Sequence, residues 1–394
     1  MSRPSVRDRI HELLAEPVAA AAERERRTFP ALLRDGDGSA VLFGAGRLGR
    51  LCARALRRGG VNLRAFCDRN PSLRGSIIEG APVLSPEEAA RQFGASALFV
   101  VSIWTGTARE SMMERLDFLR ARGCRRATTF APLLWALGRD DTPFQSFDPP
   151  GRVLGNASAL RRLAGLLEDP ESLRTLAACL RQRLRGEFDA LPPAPDQYFP
   201  RDVVTLRADE SFVDGGAFTG DTLASFVERS GARFQTYHAF EPDRGNAEAL
   251  RRWVAAAPGE IRERIKVHEV ALWGENGPLT FAEDGAPTSK VAAGAAGRVA
   301  GRTLDSVLAG QPVTFLKLDV EGGEREALRG SRSAIKRWEP LAAVCVYHGP
   351  ADLWEIPLAL RELLPQHRCF LRQHQFDGYE LVFYAVPPER CARP

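Results

Sequence analysis

Two glycine-rich segments constrain the fold of this chain more than any other feature. The first is VLFGAGRLGR at 41–50 and the second is FVDGGAFTGDT at 212–222. Each follows an apolar strand pattern and precedes a helical one, and glycine permits the tight turn between them. Doubly wound α/β domains hold nucleotide-like ligands at such turns. The sequence therefore predicts an α/β protein with two doubly wound, Rossmann-like domains.

The length of 394 residues exceeds one ordinary hydrophobic core and supports this division. We expect an N-terminal helical segment at 1–38, a Rossmann-like nucleotide-binding-type domain at 39–148, a helical connector with a Pro-rich linker at 149–199, and a second α/β domain at 200–394. The turn FDG between two apolar segments near the C-terminus predicts a hairpin, so the last strand is expected to run antiparallel.

Two local expectations concern the middle of the second domain. The pattern IKVHEVALW at 265–273 predicts a single strand. The small residues of AAGAAGRVAG at 292–301 predict a flexible segment.

Composition and charge argue against several classes of protein. The net charge is only +4, with no cluster of basic residues of the kind that binds nucleic acid. No apolar run approaches the roughly 20 residues of a membrane span. The N-terminus lacks the apolar core of a signal peptide. The seven cysteines are scattered without CxxC spacing, which is typical of free thiols in a reducing compartment. We therefore expect a cytoplasmic protein without nucleic-acid ligands or a membrane span.

The first glycine segment has the pattern GxGxxG. Gly44, Gly46 and Gly49 supply the glycines, and Asp68 ends the next strand, where an acid would bind a ribose. The helix that follows would favour a pyrophosphate at its N-terminus. This pattern predicts a site for a nucleotide or nucleotide sugar. The alternative is that the glycines only form a tight turn in a structural domain, and both interpretations stay open.

The second segment has a different pattern, an acid followed by two spaced glycines. Asp214 would repel a pyrophosphate, whereas it suits the ammonium and sulfonium charges of S-adenosylmethionine. Glu241 ends the next strand, where it would bind the ribose. The alternative is a glycine turn with a solvated Glu241. The predicted cofactor-binding residues are Asp214, Gly216, Ala217, Gly220, Asp221 and Glu241, with Tyr198 and Gln197 covering the adenosine or, alternatively, fixing the linker to the core.

Several motifs together resemble the FkbM-type family of S-adenosylmethionine-dependent methyltransferases. They are DQYFP, FVDGGAFTGDT, AFEPD, TLD, FLKLDVEGGE and VYH, spread over 195–388. The resemblance implies a class I methyltransferase sheet that ends in an antiparallel hairpin. It also implies O-methylation, often of sugar hydroxyls in glycans, glycolipids or secondary metabolites. Phe218 departs from methyltransferase loops that have glycine there. The N-terminal half more loosely resembles small Rossmann-like modules of sugar-modifying enzymes.

Polar residues follow the later strands, at the sheet edge where ligands bind. Asp319 and Glu321 follow the fourth strand and His348 follows the fifth. We predict that all three are catalytic, with His348 as the general base because an ordinary imidazole pKa near 6–7 suits that role. His348 could instead hydrogen-bond the substrate or be structural. For Glu324, a favourable interaction with a helix N-terminus is the preferred interpretation.

Three further residues are candidates for acceptor binding. Arg372 and His374 lie at the end of the sixth strand, and Trp354 follows His348 closely enough to line a sugar pocket. Trp354 could equally be a core residue. A divalent ion could be bound by Asp319, Glu321 and His348, but because one histidine is thin evidence we expect no metal.

The sequence thus predicts an S-adenosylmethionine-dependent O-methyltransferase that acts on a sugar hydroxyl. Its partner is expected to be a small-molecule or glycan acceptor, and a homo-oligomer stays open. Two alternatives belong to other classes. One is a non-catalytic nucleotide-binding scaffold with a degenerate methyltransferase domain. The other is a nicotinamide-dependent oxidoreductase that uses the first loop.

Overall fold

The computed structural model describes residues 4–107, 109–138, 144–189, 191–282, 290–291 and 297–392. The chain forms two compact units, each made of separate segments. The N-terminal unit consists of Met1–Ala164, Leu173–Pro193 and Gln373–Tyr379, and the C-terminal unit consists of Gly165–Ser172, Ala194–Arg372 and Glu380–Pro394. The boundaries predicted from the sequence are continuous segments, and they stay a prediction.

The first 185 residues contain nine of the described helices and one six-stranded sheet. The helices are α1 (Val6–Leu13), α2 (Val18–Arg34), α3 (Arg47–Arg58), α4 (Pro86–Phe93), α5 (Met112–Arg120), α6 (Phe130–Leu137), α7 (Pro150–Gly155), α8 (Ala157–Leu166) and α9 (Pro170–Arg185). The strands are β1 (Ser39–Phe43), β2 (Asn62–Cys67), β3 (Ile77–Ile78), β4 (Ala81–Leu84), β5 (Leu98–Val101) and β6 (Ala127–Thr129).

This first sheet is doubly wound around a buried central strand. Its order is β3-β4-β2-β1-β5-β6, and only the β3–β4 pairing is antiparallel. All five residues of β1 are buried, as expected for a strand covered on both faces. A capping box begins α4: the Glu88 N–H donates to Ser85 Oγ, and the Ser85 N–H donates to Glu88 Oε2.

The C-terminal unit is built on a seven-stranded sheet. Its strands are β7 (Ser211–Gly215), β8 (Thr236–Phe240), β9 (Ile265–His268), β14 (Phe315–Leu318), β15 (Leu341–Cys345), β16 (Arg368–Gln373) and β17 (Leu381–Val386). The helices between them are α10 (Asp221–Ser230), α11 (Arg244–Ala256), α12 (Gly259–Arg262), α13 (Leu304–Leu308), α14 (Glu324–Arg329), α15 (Arg332–Trp338) and α16 (Asp352–Leu363).

The order of this sheet is β16-β17-β15-β14-β7-β8-β9. β7, β8, β9, β14 and β15 pair in parallel, while β17 pairs with β15 in the antiparallel sense. The predicted antiparallel final strand is therefore confirmed. Stacked rings fill the core beneath the central strands, with Phe212 against Phe315 at 4.5 Å and against Tyr237 at 4.8 Å between centroids.

A second, four-stranded sheet in this unit was not predicted. Its strands are β10 (Ala271–Leu272), β11 (Gly277–Ala282), β12 (Lys290–Val291) and β13 (Gly297–Arg302), in the order β10-β13-β11-β12. The single strand expected over 265–273 was wrong, because β9 ends at His268 and β10 pairs with β13 instead. Of the segment expected to be flexible, residues 297–301 belong to β13, and 292–296 lie outside the described residues.

The described residues contain neither a helix that could span a membrane nor a disulfide bond. Within the described residues, no helix combines the length and the apolar character that crossing a bilayer requires. None of the seven cysteines, all of which lie in the described part of the chain, forms a disulfide bond.

Candidate functional site

The second glycine loop joins β7 to α10 and lies directly against the end of β14. Gly216 has a φ of 77°, and a Cβ built there would lie 1.8 Å from the carbonyl oxygen of Asp319. Gly220 has a φ of 96°, which other residues rarely adopt. Close packing against Asp319 therefore requires glycine at position 216, and the backbone conformation favours glycine at position 220. Asp221 is the exposed first residue of α10, where a carboxylate is favourable at a helix N-terminus.

The backbone N–H groups of this loop are used within the protein. Those of Gly216 and Ala217 both donate to the Phe240 carbonyl oxygen at 3.0 Å. The N–H of Phe218, a residue with a φ of 46°, donates to Glu241 Oε2 at 2.8 Å. A phosphate site needs such N–H groups pointing at the ligand. The N–H groups of Gly216, Ala217 and Phe218 are therefore not free to bind a phosphate, and the kind of ligand that this loop binds stays a prediction.

Glu241 sits at the end of β8 and is 6% exposed. Its Oε1 accepts a hydrogen bond from the Asp243 N–H at 2.9 Å, while Oε2 accepts the one from Phe218. Burial raises the pKa of Glu241, and the N–H donors oppose that shift. Its carboxylate is thus fixed at the mouth of the loop, and its ribose-binding role stays a prediction.

Asp214 is placed differently from what the sequence suggested. It is fully buried, its Oδ1 lies 2.8 Å from Lys317 Nζ, and its Oδ2 accepts a hydrogen bond from the Tyr237 hydroxyl at 2.6 Å. Lys317 Nζ also donates to the Gly216 carbonyl oxygen at 2.6 Å. The expectation that this carboxylate faces a cationic ligand is corrected, because the cation beside Asp214 is Lys317. Burial alone would lower the pKa of Lys317, but the charges of Asp214 and Asp319 raise it by more than burial lowers it. The pKa therefore lies above its usual value, and the amine stays charged.

Four of the acidic and basic side chains singled out in the sequence meet beyond β14 and β15. The imidazole Nδ1 of His348 lies 2.9 Å from Glu324 Oε1. Its Nε2 lies 3.5 Å from Asp319 Oδ1 and 3.7 Å from Glu321 Oε2. Glu321 has a φ of 53° and is followed by Gly322, so the chain turns sharply here. The structure thus brings together the three predicted catalytic residues, and it adds Glu324.

Glu324 does more than the sequence analysis assigned to it. It begins α14, and its side chain is 1% exposed. Besides its contact with His348, its Oε1 accepts a hydrogen bond from the Val320 N–H at 2.8 Å. A buried carboxylate that holds one imidazole nitrogen fixes the orientation of the other.

The carboxylates change the proton affinity of His348. Burial lowers the pKa of the imidazole, but Glu324, Asp319 and Glu321 together raise it to about 10. The ordinary pKa near 6–7 expected from the sequence is therefore wrong, since sequence alone does not show the three neighbouring carboxylates. Burial also raises the pKa of Glu321 to about 7, although His348 lowers it.

Tyr198 belongs to the floor of this cluster. Its side chain is buried, and its hydroxyl donates to Asp319 Oδ2 at 2.7 Å. Gln197 donates through Nε2 to the Tyr198 hydroxyl at 3.0 Å and to Glu380 Oε2 at 2.6 Å. Tyr347 donates to Glu380 Oε1 at 3.0 Å. The structure thus places Tyr198 and Gln197 beside Asp319 and Glu380, and their contact with adenosine stays a prediction.

Glu380, Tyr347 and Lys317 were not assigned roles in the sequence analysis. Lys317 lies two residues before Asp319, and side chains two residues apart on a strand point to the same face, so the sequence already indicates that Lys317 lies on the side of Asp319. Glu380 comes more than 60 residues after Asp319 in sequence, and only the tertiary fold brings it near.

The predicted acceptor-binding residues are not gathered in this cluster. The Arg372 side chain is 3% exposed, and its guanidinium pairs with Asp202 at 2.7 Å and with Asp169. Trp354 is 5% exposed on α16, as in the core alternative. His374 is buried and belongs to the N-terminal unit. Acceptor binding by Arg372, Trp354 and His374 stays a prediction, and the burial of all three side chains does not support it.

The first glycine loop has a similar internal arrangement in the N-terminal unit. Asp68 Oδ2 accepts a hydrogen bond from the Ala45 N–H at 2.9 Å, and Oδ1 accepts one from the Asn70 N–H at 2.8 Å. A Cβ at Gly49 would lie 2.0 Å from the Gly44 carbonyl oxygen, whereas one at Gly46 would meet nothing within 4 Å. Gly49 is therefore required by packing, and Gly46 is the position where a ligand has room.

Comparisons with known proteins agree with the C-terminal site. Residues 214–377 match the family model described as the Methyltransferase FkbM domain. The crystal structure of Methyltransferase FkbM from Methylobacillus flagellatus KT is similar in fold, with a TM-score of 0.76, 22% identity, and coverage of 94% of this chain and 98% of that chain. No curated protein matches this chain. The chain therefore contains an FkbM methyltransferase domain, the catalytic unit of an S-adenosylmethionine-dependent methyltransferase.

Other structural similarities are partial. A Rex-family repressor matches over 27% of this chain and 49% of its own, with a TM-score of 0.21 and 24% identity. A putative rRNA-methylase from Clostridium thermocellum matches over 52% of this chain and 99% of its own, with a TM-score of 0.33 and 10% identity. Neither adds to the functional interpretation.

Proposed function

We propose that this methyltransferase transfers the methyl group of S-adenosylmethionine to an oxygen atom, and that the acceptor is a sugar hydroxyl. The observation that carries the proposal is the group of Asp319, Glu321, Glu324 and His348 beside the second glycine loop. A hydroxyl must lose its proton when it is methylated, and a cluster of carboxylates and an imidazole provides groups that hold that proton.

The second loop and the residues beside it are where we expect the cofactor to bind. The N–H groups of Gly216, Ala217 and Phe218 are already used within the protein, and Glu241 at the end of β8 is the group we expect to hold the ribose. When bound, the cofactor supplies a methyl group on a sulfonium. Asp319 and Glu321 would supply the negative charge that a sulfonium or an ammonium favours at this edge of the sheet.

The acceptor hydroxyl is expected to approach His348 from the side of Nε2. Glu324 holds Nδ1, so Nε2 is the nitrogen that faces Asp319 and Glu321. In this proposal the hydroxyl hydrogen-bonds to the cluster, which orients its oxygen for in-line attack and receives its proton. Fixed orientation of the two reactants is itself a large part of such catalysis.

A sugar acceptor is supported by the family resemblance and by the polar character of the cluster. Adjacent hydroxyls of a sugar can donate to several carboxylate oxygens at once. A cytoplasmic location is part of the proposal, because seven cysteines without disulfides suit a reducing compartment.

The test is a methyl-transfer assay with tritium in the cofactor's methyl group, using a panel of free sugars, nucleotide sugars and glycolipids. The expected product is a methyl ether, which survives alkali, whereas a methyl ester would release its tritium. His348→Ala should lower turnover by about 10²–10⁴, while His11→Ala, on exposed α1, should leave it unchanged. Label that is transferred only to nitrogen, or that is lost in alkali, would contradict the proposal.

A further inference from the structure

Two polar atoms beyond β14 and β15 are buried without a hydrogen-bond partner. Within the described residues, neither Nε2 of His348 nor Oδ1 of Asp319 has one. The His348 side chain is 7% exposed, so water does not readily replace the missing partner. A buried polar atom left unpaired is costly, and its presence at a site calls for a ligand.

Separations around Nε2 are those of ligands that share an ion. The 3.5 Å to Asp319 Oδ1 and the 3.7 Å to Glu321 Oε2 exceed the 2.7–2.9 Å, roughly, of a charge-assisted hydrogen bond. Two ligands bound at about 2.1 Å to one tetrahedral ion lie about 3.4 Å apart. Two of these three residues, Asp319 and His348, also belong with Glu324 to a group whose ligand atoms all lie within 4.8 Å of one another.

From this arrangement we propose that Nε2 of His348 and the carboxylates of Asp319 and Glu321 bind a divalent cation. Glu324 is the positioning residue of the site. It occupies Nδ1 at 2.9 Å and thereby directs Nε2 toward the two carboxylates, where a cation would replace the Nε2 proton. A carboxylate behind a metal-binding histidine is a common arrangement, and its loss typically weakens metal binding about 10- to 100-fold.

The ligand set indicates the kind of ion. One imidazole and two carboxylates suit ions of intermediate character, such as Mn²⁺ and Zn²⁺, better than ions that prefer sulfur or oxygen alone. Asp319 and Glu321 retain 22% and 25% side-chain exposure, so the ion has a route from solvent and space for further ligands. An acceptor oxygen could fill such a position, where the ion would favour its deprotonation.

The metal site goes beyond the proposed function and is tested without cofactor or acceptor. A failure here would therefore leave methyl transfer to a hydroxyl standing. The full-length protein is treated with a chelator, desalted and titrated with Mn²⁺, with free Mn²⁺ followed by electron paramagnetic resonance. One Mn²⁺ per chain is expected, and Zn²⁺ should displace it.

Variants locate the ion. His348→Ala and Asp319→Asn should each weaken Mn²⁺ binding by at least about tenfold, and Glu324→Gln by about 10- to 100-fold. Glu248→Gln is the matched control, since Glu248 is an acid of the same unit that is exposed on α11 and pairs with Arg244, away from the cluster. The Mn²⁺ affinity of this control should stay within about twofold of wild type, far from the roughly 10- to 100-fold loss expected for Glu324→Gln.

Thermal unfolding of the wild-type protein with and without Mn²⁺ gives a second measurement that does not depend on how well a variant folds. Mn²⁺ should raise the unfolding midpoint of the wild-type protein, because an ion that binds only the folded state stabilises it. Absence of both Mn²⁺ and Zn²⁺ binding by the wild type would overturn the proposal, and the cluster would then be a protonated imidazole paired with carboxylates. Binding that survives both His348→Ala and Asp319→Asn would overturn it equally.

Discussion

Lys317 and Asp214 face each other on the neighbouring strands β14 and β7 and form a buried ion pair of 2.8 Å directly beneath the second glycine loop. Because the same amine also donates to the carbonyl oxygen of Gly216, the pair ties the loop to the sheet. An acid that looks like a ligand for the cofactor is thus part of the framework that shapes the site.

Removal of the amine should therefore destabilise the fold. Lys317→Met leaves the Asp214 carboxylate buried without its cation, which typically costs about 3–5 kcal/mol of unfolding free energy. Urea denaturation measures the loss. Lys336→Met, at an exposed position of α15, is the control and should change stability by less than about 0.5 kcal/mol. Equal stability of the two variants would show that the pair contributes little.

Glu241 should determine cofactor affinity. Glu241→Ala removes the expected ribose bonds and frees the N–H groups of Phe218 and Asp243, at a cost of about 1.5–3 kcal/mol. Calorimetry should show S-adenosylhomocysteine binding about 10- to 150-fold weaker than in the wild type. Glu248→Ala, on the exposed face of α11, should bind normally. No binding by the wild type itself would contradict the assignment of this loop.

The first glycine loop offers a pair of substitutions that separates packing from ligand binding. Gly49→Ala places a Cβ 2.0 Å from the Gly44 carbonyl oxygen and should lower stability by about 1–3 kcal/mol. Gly46→Ala meets nothing within 4 Å and should fold normally. If the N-terminal unit binds a nucleotide or nucleotide sugar, as its GxGxxG pattern predicts, Gly46→Val should weaken that binding without changing S-adenosylhomocysteine affinity. Identical nucleotide binding by Gly46→Val and wild type would argue against a site at this loop.

Acid should destabilise the protein through a histidine pair on β8 and β9. His238 Nδ1 lies 3.1 Å from His268 Nε2, and burial, followed by His268 and Lys266, lowers the pKa of His238 to about 4. The folded state then binds fewer protons than the unfolded state below pH 6.5. Stability from this pair is therefore complete above about pH 6.5 and is lost progressively as the pH falls toward 4, by at most about 3 kcal/mol.

Denaturation of the wild type and of His238→Gln at pH 7.5 and 4.5 checks this expectation. The variant should lose less stability between the two pH values than the wild type does. His11→Gln, which changes an exposed histidine of α1, should behave like the wild type. A variant at position 238 with an unchanged pH dependence would show that other groups govern acid unfolding.

Local patterns predicted most strands of the two large sheets and the hairpin at the end, because these strands are apolar segments bounded by turn residues, but they missed the short strands β3 and β4. They failed where a short segment changed sheets: nothing in IKVHEVALW shows that Ala271 pairs with Gly301 rather than continuing β9. They also failed where a side chain's partner is distant in sequence. Lys317 lies 103 residues from Asp214, and the carboxylates that raise the pKa of His348 come from another strand end.

Segments of the two compact units alternate along the chain. The residues between β16 and β17 belong to the N-terminal unit, where the Asp377 carboxylate accepts a hydrogen bond from the Met112 N–H and lies 3.5 Å from the Arg115 guanidinium. Residues 165–172, in turn, belong to the C-terminal unit. A single crossover between genes would therefore deliver neither unit whole. We expect the two units to be inherited together rather than shuffled as modules, because an exchange of the whole N-terminal unit with that of a relative requires five junctions, one at each boundary between segments of the two units.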